Sequence, residues 1–336
     1  MNWLALDIGG ANIKVADGKR FAESHAFEMW REAKQLSQQL RMIITQSPTS
    51  THLAVTMTGE LCDCFESKSQ GVKFIIDAVG EAADGRHTRI YLTDGRIVSS
   101  QIALRDPSLV ASANWHALAR FTGRLAEQGT ALLIDIGSTT TDIIPLFDGA
   151  VSAAGRTDTE RLLNGELVYT GVERSPICAL IDSAPYRGKQ CPVSQELFAT
   201  TGDVYVILGD LPEGPMRTCT ADGKPATKKA ARVRLGRMFC ADEDNFNHRD
   251  AVAISHAAAA AQKFLISTAV KRVIGEMPDP PKKIILSGHG EFLGRRLLEN
   301  LGLIAEIVVL TKLLGATVSR CATAHALAVL ANEGSK

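Results

Sequence analysis

The chain has 336 residues, 45% hydrophobic and 22% charged, with 37 Lys and Arg balanced by 37 Asp and Glu. That mixture is globular rather than disordered or fibrous. The balance excludes an overall field that would gather nucleic acid or anionic membrane, so any anion binding must be local. The opening residues lack the basic flank and long apolar run of a secretory leader. No window approaches the ~20 uninterrupted apolar residues of a membrane span. Seven scattered cysteines, an odd number, fit reduced thiols, and a cytoplasmic chain is expected. Cys62 and Cys64 stand close, but no second pair lies at ligand spacing, so they too are expected to be plain thiols.

At about 150 residues per domain, the length predicts two domains of alternating α/β structure. The first strand, Leu4 to Ile8, is followed by a tight turn and a second, Ile13 to Ala16. An amphipathic helix runs from Phe27 to Ser47 and stops at Pro48. Leu53 to Met57 is a strand entering Thr58-Gly59-Glu60. A helix over Lys68 to Ala83, a strand over Ile90 to Leu92 and a helix over Ala111 to Leu125 complete a first lobe at 1–125. The second lobe, 126–336, opens with strands Ala131 to Ile136 and Ile143 to Phe147. Val204 to Leu208 reads as a buried strand, with Asp203 at its start. A polar excursion, about 211–242, forms an insert or lid over the cleft. A long helix over Asp250 to Glu276, strands Lys283 to Leu286 and Ala305 to Leu310, and a helix over Ala316 to Ala331 follow. That last helix is positioned to pack back on the first lobe.

The two halves begin alike. Leu4-Ala5-Leu6-Asp7-Ile8-Gly9-Gly10-Ala11-Asn12-Ile13-Lys14 parallels Leu132-Leu133-Ile134-Asp135-Ile136-Gly137-Ser138-Thr139-Thr140-Thr141-Asp142. Each is an apolar strand ending in Asp-Ile-Gly, then a polar turn and a second strand. Asp17-Gly18 and Asp148-Gly149 mark a further hairpin in each. Such a repeat reads as an old duplication.

Turns of this composition suit phosphate. Glycine lets the backbone approach an anion, and turn N–H groups converge on it. Gly9, Gly10, Asn12, Gly137, Ser138, Thr139 and Thr140 are the expected donors, with Lys14 as a neutralising charge. Carboxylates beside phosphate need a cation between them. Asp7, Asp135 and Asp142 therefore imply Mg²⁺, a hard ion that takes carboxylate, water and phosphate oxygens.

These hairpins resemble the two phosphate motifs of the actin, sugar-kinase and Hsp70 superfamily. The resemblance implies two RNase H-like lobes of the actin-like ATPase type around a phosphate-binding cleft. The run Leu286-Ser287-Gly288-His289-Gly290 occupies the place of that superfamily's third, adenosine-side turn. A narrower resemblance rests on Val55-Thr56-Met57-Thr58-Gly59-Glu60-Leu61, Ala113-Asn114-Trp115, Gly137 to Asp142, Leu197 to Tyr205 and Ser287 to Glu291, in that order. Together they resemble hydantoinase/oxoprolinase-related proteins linked to tetrahydromethanopterin-dependent C1 transfer, a branch that includes a methanofuran-biosynthesis synthase. That resemblance implies a transferase joining an aminomethylfuran diphosphate to the phenol of glutamyltyramine, with release of pyrophosphate.

Such chemistry needs stabilisation of the leaving group by the hairpins and a base for a phenol of pKa ~10. Glu60, after an apolar strand, is the first candidate base, with Asp7, Asp135 and His289 beside it in the catalytic set. Gly288 and Gly290 join the phosphate-binding group, and Asn114, Trp115 and Asp203 are candidate substrate contacts. An ATP-dependent kinase or hydantoinase-like enzyme is the alternative, with ATP then a cofactor. A non-catalytic nucleotide-binding protein is a second. The partner expected is a small-molecule diphosphate, and oligomeric state is left open.

Overall fold

In the computed structural model, which describes residues 1–47 and 49–334, the chain builds the same sheet twice. The first consists of β1 (Trp3–Ile8), β2 (Asn12–Ala16), β3 (Ala22–Ala26), β4 (His52–Met57), β5 (His87–Tyr91) and β6 (Ile97–Val98). Its order is β3-β2-β1-β4-β5-β6. The second contains β7 (Thr130–Ile136), β8 (Thr141–Phe147), β9 (Ala150–Val151), β10 (Leu167–Val168), β13 (Lys283–Ser287) and β14 (Glu306–Val309), in the order β10-β8-β7-β13-β14 with β9 on β8. A separate hairpin joins β11 (Ser183–Tyr186) to β12 (Lys189–Pro192).

Pairing directions repeat as well. β1 runs antiparallel to β2 and parallel to β4. β7 runs antiparallel to β8 and parallel to β13. All six residues of β1 are buried, as expected of a central strand covered on both faces. The duplication read in the sequence is thus a duplication of topology.

Two helices join the sheets. Asn114–Gly123 packs Trp115, Leu118 and Ala119 against Leu133 and Ile144 of the second sheet, while Ala117 meets Trp3 and Ala5 of the first. Ala322–Glu333 does the reverse, laying Leu327, Ala328 and Leu330 on the first sheet and Ala322 and Ala326 towards the second. The cleft lies above this shared layer, where the Asp-bearing strands end.

Some expected elements change. Val204 to Leu208 is helix, within Thr201–Leu208. An apolar run of five fits a buried strand or a buried helix equally. The flanks decide: Thr200 and Asp203 form a capping box, and Gly209 terminates the helix at φ +83°. The helix expected from residue 27 divides into Met29–Glu32, a 3₁₀ turn Ala33–Gln35 and Leu36–Thr45; the stop assigned to Pro48 lies outside the described residues. The last helix breaks at Cys321 into Ala316–Arg320 and Ala322–Glu333. In the insert, a loop closed by Gly214 N–H donating to Ala226 O at 2.9 Å leads to the helix Lys228–Arg237.

Candidate active site

Both hairpin turns close with the same hydrogen bond. Gly9 N–H donates to Asn12 O at 2.9 Å, and Gly137 N–H donates to Thr140 O at 2.8 Å. Among the described residues, the N–H groups of Gly10, Ala11, Ser138 and Thr139 donate to no backbone carbonyl. Each turn therefore offers a small anion-binding nest. Gly171 seals the second from behind, where a Cβ would meet Gly137 O at 2.5 Å.

The register exposes a difference between the copies. Asp7 stands across from Lys14, whereas the matching Asp135 stands across from Asp142. Like charges so placed repel, and Arg161 answers this with an ion pair to Asp142. Burial raises Asp7, Lys14 opposes that and Asp142 adds to it. Burial and then Asp142 lift Asp135 to about 6, opposed by the Ser287 hydroxyl and Lys14. Burial also raises Asp142, against the pull of Arg161.

These carboxylates fit a divalent cation. The Oδ1 of Asp7 is buried with no hydrogen-bond partner, and Asp135 lies beside the same cavity. Among the described residues no three His, Cys, Asp or Glu side chains converge to hold an ion by themselves. An ion at Asp7 and Asp135 would complete its shell with water and ligand oxygens, the habit of Mg²⁺. Asp142, expected as a third ligand, lines the same cavity and is paired with Arg161.

Two cavities flank the hairpins. One, about 570 Å³, is lined by Gly10, Lys14, Ser138, Thr139, Ser112, Asn114, Asp158, Arg161 and Arg174. The other, about 590 Å³, shares Asn12, Lys14, Asp135 and Gly137 and continues to Arg217, Gly288 and His289. Residues 216–220 of the insert form part of its wall. Arg174, common to both, lies 4.5 Å from the ring centroid of Trp30 on the first lobe.

Glu60 sits behind the first cavity and is fully buried. Gly71 of the helix Lys68–Ala82 presses so closely on it that a Cβ would meet Glu60 O at 2.4 Å. Burial lifts its carboxyl to about 7, against the Ser112 hydrogen bond. Ser112 Oγ lies 2.8 Å from Glu60 Oε1 and 2.7 Å from Asp158 Oδ2. Asp158 meets Lys68 Nζ at 3.1 Å and Arg161 Nη1 at 3.7 Å. A continuous polar chain thus runs Glu60–Ser112–Asp158–Arg161–Asp142.

The other candidates divide. Asn114 lines the first cavity. Trp115, expected beside substrate, is buried under the Arg161 guanidinium, 4.2 Å from its ring. Asp203 is not at a strand end: it caps its own helix, and its Oδ1 accepts from Arg234 Nε and Nη2 at 2.8 and 2.6 Å. Gly290 lies against Ile136, where an added Cβ would meet the Ile136 side chain at 2.3 Å. His289 lines the second cavity, but burial, followed by Lys14, Arg320 and Arg217, lowers it to about 3. At neutral pH its ring is an uncharged hydrogen-bonding group, ill suited as a base. Cys62 and Cys64 are free thiols, and burial pushes Cys62 up to about 11.

Ser112, Asp158, Arg161 and Arg174 were not singled out from the sequence. Asp158 and Arg161 are three apart on the helix Asp158–Asn164 and so share a face, but nothing local says what that face meets.

Two matched sheets, each bringing an Asp-ended hairpin to one cleft, define a bilobal α/β fold of the actin-like type. Residues 52–333 match the hydantoinase/oxoprolinase family, and the chain belongs to that family. The (4-{4-[2-(gamma-L-glutamylamino)ethyl]phenoxymethyl}furan-2-yl)methanamine synthase of Methanocaldococcus jannaschii is 36% identical over 244 residues, 72% of each chain. The protein of the same name from Methanococcus vannielii is 35% identical over 170 residues, 51% of this chain and 75% of that one. Among solved structures, the PilM-PilN type IV pilus biogenesis complex aligns over 98% of both chains with a TM-score of 0.50 at 12% identity, a likeness of fold alone. Among the described residues, no helix is long and apolar enough to cross a membrane.

Proposed function

We propose that this enzyme joins an aminomethylfuran diphosphate to the phenol oxygen of glutamyltyramine and releases pyrophosphate. The observation carrying the proposal is the identity with the Methanocaldococcus jannaschii synthase, 36% across 72% of both chains. The cavity of about 570 Å³ beside both hairpins supports it, because anion donors and a proton-accepting cluster meet there.

The bond between the furylmethyl carbon and its diphosphate oxygen breaks, and one between that carbon and the phenol oxygen forms. The furan ring delocalises the cation that develops, so the protein's work is to stabilise the leaving group and position the nucleophile. The free N–H groups of Gly10, Ala11, Ser138 and Thr139 receive the diphosphate oxygens. Lys14 and Arg174 supply positive charge from opposite lobes. Asp7 and Asp135 would hold a Mg²⁺ ion, which would supply further charge neutralisation. Glu60 stores the phenol proton, since a carboxyl near 7 is matched to neutral pH.

A second reading, an ATP-dependent small-molecule kinase, is favoured by the cavity of about 590 Å³ leading to Gly288 and Arg217. Incubating the protein with Mg²⁺, the furan diphosphate and glutamyltyramine, without ATP, separates the two. Ether product with matching pyrophosphate, followed by mass spectrometry, is the expected result. Absence of product, with ATP turnover on other acceptors, would overturn it.

A further inference from the structure

Ser112 has one hydroxyl hydrogen but stands within hydrogen-bond distance of two carboxylates, 2.8 Å from Glu60 Oε1 and 2.7 Å from Asp158 Oδ2. Both contacts are hydrogen bonds only if one carboxyl carries a proton. Charge pairing says which. Asp158 has Lys68 at 3.1 Å and Arg161 at 3.7 Å, whereas Glu60 Oε2 is buried without a partner. The structure therefore shows the cluster with a proton on Glu60, which donates to Ser112, which donates to Asp158. This is the state after proton uptake; before it, Glu60 is a carboxylate and Ser112 donates to Glu60. The backbone is bent to achieve this: Ser112 holds φ +50°, a left-handed conformation that costs a non-glycine residue about 1 kcal/mol or more. Access differs as well. Ser112 and Asp158 line the cavity beside the hairpins, while Glu60 is fully buried.

We propose that Asp158 takes the proton of the incoming hydroxyl and that Ser112 passes it to Glu60, making Glu60 a proton store with no contact to substrate. In this step the phenol O–H bond breaks and an Asp158 O–H bond forms. That proton moves to Ser112 Oγ as the Ser112 hydrogen moves to Glu60 Oε1. The net change is one carboxylate, Glu60, becoming a carboxylic acid. The charged and titratable groups around Glu60 are Ser112's partner Asp158, Lys68, and more distantly Cys62 and Tyr169. The identity of the hydroxyl rests on the transferase reading; the shared proton does not.

Infrared difference spectra of the ligand-free protein, taken across pH 5 to 9, test the shared proton directly. Wild type is expected to show a carboxylic-acid band that titrates near pH 7, beside the lower one of Asp135 near 6, and that is absent in Glu60→Gln. Ser112→Gly keeps the left-handed backbone without strain and removes the hydroxymethyl group, so it is expected to fold. Its band is expected to titrate at higher pH, because a donor to the Glu60 carboxylate is gone. In the transfer assay, the same variant should lose about 100-fold in kcat at unchanged KM, with a displaced pH midpoint. An unchanged midpoint in Ser112→Gly, or survival of the band near pH 7 in Glu60→Gln, would overturn the relay. Should wild type form no ether, the infrared result alone still decides.

Discussion

The guanidinium carbon of Arg161 lies 4.2 Å over the ring of Trp115, and that stack holds the only side chain that touches both Asp142 and Asp158 among the described residues. Trp115 comes from the helix that joins the two sheets, and Arg161 comes from the second lobe. The contact therefore ties the phosphate hairpin to the proton-handling cluster.

Replacing Arg161 by Met keeps apolar packing on Trp115 but leaves buried Asp142 without its cation, while Asp158 retains Lys68. A broken buried pair costs ~3–5 kcal/mol. Urea unfolding should show a loss of that size, and an unchanged midpoint would mean the pair is not stabilising the fold.

Asp135→Asn removes a half-buried carboxylate that faces Asp142 across the ladder. Turnover should fall by ~10²-fold or more, because charge at the leaving group is no longer organised. The melting temperature should hold or rise, since repulsion is relieved. Thermal unfolding and product formation in the same preparation check both halves.

Glu60 sets a pH dependence of stability. Its carboxyl rises from 4.5 to about 7 on folding, so the folded state binds the proton more tightly. Its contribution is complete below about pH 4.5 and is lost as pH rises through about 7. At 1.36 kcal/mol per unit the loss is ~3 kcal/mol. Glu60→Gln should flatten stability between these pH values, as measured by unfolding at a series of pH. A slope equal to wild type would place the titration elsewhere.

Gly288 adopts φ +89°, and a Cβ there would meet Ile136 O at 2.3 Å and Asp135 Oδ1 at 2.7 Å. Gly288→Ala should destabilise by ~2–4 kcal/mol and depress turnover by displacing Asp135. Normal turnover with normal stability would show that the turn can yield.

Asp203→Asn separates a structural role from the expected substrate contact, since Asp203 also lines the second cavity. Arg234, fully buried, would lose half of its pairing, and Asp222 would remain as its other partner at 2.9 Å. Stability should drop by ~2 kcal/mol or more, while KM stays near wild type in the folded fraction. A raised KM at full stability would return Asp203 to the substrate.

Much of the molecule could be read from local pattern. The Asp-Ile-Gly strands at 7–9 and 135–137 are short, apolar and followed by turn residues, and each pattern is complete within about ten residues. The sequence alone therefore determined the duplicated hairpins, the β-α alternation and the phosphate-suited turns. It erred at Thr201–Leu208 because an apolar run carries no period, although Thr200, Asp203 and Gly209 held the helix signal. What tertiary structure decided is the cluster of Glu60, Ser112, Asp158, Arg161 and Asp142. Its members come from four separate segments, and their meeting depends on how two lobes pack around Asn114–Gly123. Sequence patterns report one element at a time, whereas the charge on a buried carboxyl depends on neighbours a hundred residues away.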